Sequence, residues 1–276
     1  MQSQDIMSIE WWANVRAVAD IAAQTSSYLS SSQPHLAVQL ADHISAYNAT
    51  GDVIPFFGDY RLPYSESFFQ LRNSVSLAFH GFYSQSFSVL RSVCELSLLQ
   101  SSLPEGAIRT EEGVNWVWLL GQRAIKSPSS DVASSIEAWA VDGCKIPPWR
   151  DMLKKLLRSD IAREFDQKTK LSARLKEIFD GTNQYVHVRG WQRSAINLRN
   201  GGLRLSEESL LLFGTHMMRA TQMSISILLL AFLPTATSYA DAAAGFIDGT
   251  QLSMALRVLP KKDAELFRQI HDNRER

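Results

Sequence analysis

Two pairs of side chains carry the types and spacing that chemistry would need. Arg91 and Glu95 lie four residues apart, and so do Asn183 and His187. A separation of four puts both members of a pair on one side of a helix. A guanidinium, a carboxylate, an amide and an imidazole together could transfer protons and hold an anion. The plainer reading is a salt bridge: Arg91 and Glu95 can pair with each other, although with Arg first the order is the less favourable one for the helix dipole. A third candidate is "THMMRA", where His216 and Arg219 stand at i and i+3 on another apolar stretch.

Arg91 and Glu95 belong to "LRNSVSLAFHGFYSQSFSVLRSVCELSLLQ", Leu71 to Gln100, which reads as one long buried helix from near Ser65 to just before Pro104, with Gly81 a point where it can kink. On a wheel of about 100° per residue, Asn73, Ser84, Arg91 and Glu95 fall within roughly 60° of His80. The rest of the circumference is largely apolar, as on a buried helix. A polar stripe on such a helix needs partners, because an unpaired buried charge is costly. In "KLSARLKEIFDGTNQYVHVRG", residues Leu171, Leu175, Ile178, Thr182 and Tyr185 form one face. Asn183 and His187 could therefore close over the stripe, or they could join Lys176 and Asp180 on a wet face.

Around these segments the sequence reads as all-α. Ile9 to about Leu29 and a segment opened by Pro34 and closed by Gly51 are helical, "EEGVNWVWLLGQRAI" and a short run after Ser130 or Asp131 follow, and "WRDMLKKLLRSDIAREF" is amphipathic. Ser206, with Glu207 and Glu208 in the first turn, caps a last long helix that Pro234 ends. "INLRNGGLRLS" departs from this pattern. Its alternating Ile196, Leu198, Leu203 and Leu205 around Asn-Gly predict one small β-hairpin near 196–205. With no repeat and no polar linker, residues 1–276 read as a single helical domain, with a helical N-terminal extension over 8–50, a core over about 65–232 and short C-terminal helices over 238–272.

Lys plus Arg and Asp plus Glu both number 28, so no global excess of charge attracts a nucleic acid or an anionic membrane, and any phosphate contact must be local. The most apolar segment, "MSISILLLAFLP", is shorter than the roughly 20 residues of a membrane span and reads as a core helix. Cys94 and Cys144 form neither a disulfide framework nor a zinc pattern and fit a reducing cytoplasm, with Cys94 most simply a small core hydrophobe. The N-terminus has no basic region leading into an apolar run, so a secretory signal is not expected. HExxH, a glycine-rich phosphate loop and a nucleophile elbow are all missing, which lowers the metal hydrolase, NTPase and serine hydrolase readings.

At "YSQSFSVLRSVCEL" and "FDGTNQYVHVRG" the chain resembles the HEPN-like helical proteins, particularly larger bacterial members in which an Arg and a Glu one turn apart are followed much later by Asn or Ser, three residues, and His. The matching positions are Arg91, Glu95, Asn183 and His187, and the resemblance covers roughly the middle half of the chain. It implies a helical homodimer of abortive-infection, toxin or antiviral defence type that needs no cofactor or metal and cleaves RNA. In that chemistry His187 or His80 would activate the ribose 2′-hydroxyl, Arg91 or Arg189 would stabilise the phosphorane, and Glu95 would orient or raise the pKa of the His. The better-known HEPN site has an Arg, an adjacent polar residue and a His a few residues on. Its nearest literal match, Arg72-Asn73 with His80, has a longer spacing and sets Arg72 about 80° from His80.

Two expectations therefore stand. In the first, the protein acts on RNA, with phosphate contacts from Arg189, Arg193, Arg199 and Arg204. In the second, it is a non-catalytic interaction or ligand-binding module in which Arg91, Glu95 and His187 are a structural polar network. Trp11, Trp12, Phe56 and Phe57 could leave apolar surface for a second copy, or could be core.

Overall fold

The computed structural model describes residues 2–54, 61–102, 147–186, 205–234 and 249–274, with backbone alone for 2–15, 184, 186 and 274. Ten α-helices occur among them: α1 (Gln2–Ser32), α2 (Pro34–Thr50), α3 (Leu62–Phe79), α4 (Tyr83–Ser101), α5 (Trp149–Leu156), α6 (Asp160–Thr169), α7 (Leu171–Val186), α8 (Glu207–Phe232), α9 (Gly249–Leu256) and α10 (Lys261–Arg274). The all-α reading holds. No strand is present among the described residues, and the hairpin expected near 196–205 lies outside them except for Leu205, which leads directly into the cap of α8.

The long helix expected from Ser65 onward is in fact two. Gly81 adopts φ 81°, a left-handed conformation that only glycine enters without strain, and it reverses the chain between α3 and α4. His80 is the C-cap of α3 and its Nδ1 donates to the Ser76 carbonyl at 2.7 Å. The two helices run antiparallel: Ser67 near the start of α3 bonds the Val93 carbonyl on α4, and the Tyr64 N–H donates to Gln100 Oε1 at the far end. This fold-back satisfies buried polar groups inside the core, where the Tyr47 hydroxyl lies 2.6 Å from Ser67 and 2.9 Å from Ser97. It also separates the two halves of the expected polar stripe.

"WRDMLKKLLRSDIAREF" divides too, into α5 and α6 around residues 157–159. Lys170, at φ 60°, then turns the chain from α6 into α7, its N–H bonding the Asp166 carbonyl while the Asp166 carboxylate accepts from the Ser172 N–H. The Asp replaces a helical partner that the first N–H groups of α7 lack. Ser206 caps α8 as expected, accepting from the Ser209 N–H. α8 is the central helix, with Phe213, Met217, Ala220, Ile227 and Leu228 fully buried, and it packs on α4, α2 and α7. The apolar run after Met223 is buried on nearly every side, which is how a core helix differs from a surface one. No helix among the described residues is long and apolar enough to cross a membrane.

Candidate functional site

The half-buried seam between α4 and α7 brings together three of the four expected side chains. α7 buries Leu171, Leu175, Ile178 and Thr182 against its neighbours, the face its sequence periodicity predicts. Phe179, also buried, stacks on Trp149 of α5 with ring centroids 4.6 Å apart. That packing fixes the rotation of α7, so that Asn183, one turn after Phe179, faces α4 and not solvent. Lys176 and Asp180 pair with each other on the exposed side, at 2.8 Å.

On α4, Arg91 Nε donates to Glu95 Oε1 at 2.9 Å, and Arg91 Nη1 donates to Asn183 Oδ1. The guanidinium also lies 5.5 Å from the centre of the Phe179 ring, over which a cation is attracted by the ring quadrupole. The carboxylate, the amide and the aromatic face hold Arg91 from three sides. The fork still has donors to spare, since a guanidinium carries five N–H groups and two are engaged here. Arg91 and Glu95 retain 19% and 23% side-chain exposure, enough for an approaching anion to reach them. Chemically the seam is a pre-oriented cation whose charge Glu95 partly offsets and whose remaining N–H groups are available to a further acceptor.

His187 and Arg189, together with Arg193, Arg199 and Arg204, lie outside the described residues. The literal trio does not assemble: Arg72 and Asn73 are exposed on α3, Arg72 lies 5.9 Å from the Phe68 ring, and His80 is engaged at the end of that helix. Because Gly81 reverses the chain, these residues share no helix with Arg91. The helical wheel sets Asn73 and His80 on one stripe with Arg91 only if the helix is unbroken.

Beside the seam, Phe87 of α4 stacks on Tyr185 at 4.3 Å and meets the His216 ring edge-on at 5.3 Å, while Ser88 Oγ donates to the Tyr185 carbonyl. His216 Nδ1 is hidden from solvent with no hydrogen-bond partner among the described residues. Its pKa is lowered by burial first and by the Arg219 charge second, both of which disfavour the imidazolium. Its ring also fits against Gly181, where a Cβ would come within 3.2 Å of Cε1. The sequence signals His216 through its spacing to Arg219, but it gives no sign that Phe87 and Gly181 form its surroundings. No protein-family model matches the chain, and neither the curated proteins nor the solved structures include a match to it.

Proposed function

We propose that the protein is an HEPN-like helical protein of bacterial defence type that acts on RNA, with the α4–α7 seam binding the scissile phosphate and cleavage needing no metal. The observation that carries this reading is that Arg91 is held by Glu95 and by Asn183, which stands four residues before His187 in the sequence, with guanidinium N–H groups left without a partner among the described residues. In this mechanism His187 takes the proton of a ribose 2′-hydroxyl, and O2′ attacks phosphorus as the bond to the 5′-oxygen breaks. Arg91 stabilises the charge on the phosphorane, leaving a 2′,3′-cyclic phosphate and a 5′-hydroxyl protonated from solvent. A cytoplasmic location and a homodimer belong to the same reading.

A second reading is favoured by the Phe179 contact: an Arg pinned on three sides could equally be a clamp between α4 and α7 in a non-catalytic interaction module. One experiment separates the two. Wild type, His187→Ala and Arg91→Lys are incubated with total cellular RNA in excess EDTA, and a melting curve is recorded for each. Cleavage by wild type that both folded variants lose is the expected result. Intact RNA throughout, together with a lowered melting temperature for Arg91→Lys, overturns the nuclease and leaves the clamp.

A further inference from the structure

Away from the seam, a cavity of about 520 Å³ opens between the end of α6, the first half of α7, the middle of α8 and the start of α10. Cations outnumber carboxylates in its lining: Lys168, Arg174, Arg219 and Lys262 stand against Glu177 and Asp263. Two of the four are already answered. Arg174 bridges Asp263 at 2.6 Å, and Lys168 bridges Glu164 on its own helix at 2.6 Å. Among the described residues Lys262 donates to a neutral group, the Lys168 carbonyl at 2.8 Å, which steadies its ammonium over the end of α6. Arg219 has neither a hydrogen bond nor an ion pair among the described residues, and Glu177 is not within ion-pair distance of either cation. Ile178, Met223 and Pro260 supply apolar wall, and His216 borders the same space.

We propose that this cavity binds a small phosphorylated molecule of about mononucleotide size, its phosphate held between Arg219 and Lys262. The volume lies within the roughly 300–1,000 Å³ of ordinary small-molecule sites, whose walls are part apolar with a few fixed polar groups. An arginine fork and a lysine point charge, both without a carboxylate partner, complement a doubly charged phosphate better than a single carboxylate. The site shares no lining residue with Arg91, Glu95 or Asn183, so it stands whether or not the seam cleaves RNA.

The test is calorimetric titration of the full chain at low salt with AMP, ribose 5-phosphate and adenosine. AMP and ribose 5-phosphate should bind and adenosine should not. Arg219→Ala combined with Lys262→Ala should weaken AMP about tenfold or more, both side chains being exposed and their loss harmless to the melting temperature. Glu177→Gln should tighten binding several-fold by removing the opposing charge, and His187→Ala should leave AMP affinity unchanged even if it abolishes RNA cleavage. Absence of heat with both phosphorylated probes overturns the proposal. So does adenosine binding as well as AMP, or an unchanged AMP affinity in the Arg219/Lys262 variant.

Discussion

Replacing Arg91 with alanine removes three contacts at once and strands their partners. Glu95 loses its cation with 23% of its side chain exposed, and Asn183 Oδ1 loses its donor at the α4–α7 seam. Hydrogen bonds to charged groups contribute about 1.5–3 kcal/mol each, and breaking a fully buried ion pair costs about 3–5 kcal/mol. Neither figure applies in full here, because water reaches both partners and screens the stranded carboxylate. The cation–π contact with Phe179 adds about 0.5–1 kcal/mol. Together these give a destabilisation of about 2–3 kcal/mol, or a fall in melting temperature of roughly 3–6 °C for a chain of this size. Urea melts of Arg91→Ala, Asn183→Ala and the double variant would measure the coupling across the seam, expected at about 1–2 kcal/mol, with the double variant less destabilised than the sum of the singles. A loss under about 0.5 kcal/mol for Arg91→Ala, or strictly additive singles, would refute the argument that the seam holds α4 to α7.

The ion pair between Arg174 of α7 and Asp263 of α10 should cost more to break. Arg174→Ala leaves the Asp263 carboxylate, 3% exposed, without its cation, and should destabilise by about 3–5 kcal/mol in a denaturant titration; a change under about 1 kcal/mol would mean that Asp263 is satisfied without Arg174. His43 and His216 are both lowered from the ordinary 6.5, chiefly by burial, with Arg219 adding to the effect on His216 while the Gln39 carbonyl and Asp42 partly oppose it on His43. The unfolded chain then takes up protons first as pH falls through about 6.5. The stability these two histidines contribute is therefore complete above that pH and declines below it. Comparing unfolding free energies at pH 7.5 and 5.5, the His43→Gln/His216→Gln variant should show a shallower decline than wild type, and identical declines would contradict the burial argument. The Cys94 thiol, fully buried and pushed up to about 12 chiefly by desolvation, should resist alkylation in the native protein and react only on unfolding; rapid native labelling at Cys94 would show the α4–α8 packing to be looser than described.

Whether a feature could be read from the sequence depended on whether it was local. Helical periodicity identified the buried face of α7 through Leu171, Leu175, Ile178 and Thr182, and the Ser206 cap with two following glutamates placed the start of α8. The spacing of Arg91 to Glu95 gave their bond, which lies within one helix. Asn183 was harder, because the same spacing that lets it meet Arg91 also fits a wet face beside Lys176 and Asp180. What decides between them is the stacking of Phe179 on Trp149, a contact between residues 30 apart that rotates α7 toward α4. The break at Gly81 was underestimated because a glycine within an apolar run costs a helix only about 1 kcal/mol on propensity. The outcome was set by long-range partners, since folding back brings Ser67 to the Val93 carbonyl and lets the buried Tyr47 hydroxyl meet both Ser67 and Ser97. The grouping around the cavity was out of reach for the same reason. Lys168, Arg174, Arg219 and Lys262 come from four helices, and no periodicity connects them. The seam and the cavity are nonetheless joined through His216, which borders the cavity and meets Phe87 one turn from Arg91. A ligand that moved that ring would act on the packing of Phe87 against Tyr185, two residues from Asn183, and so on the two helices that hold Arg91 in place.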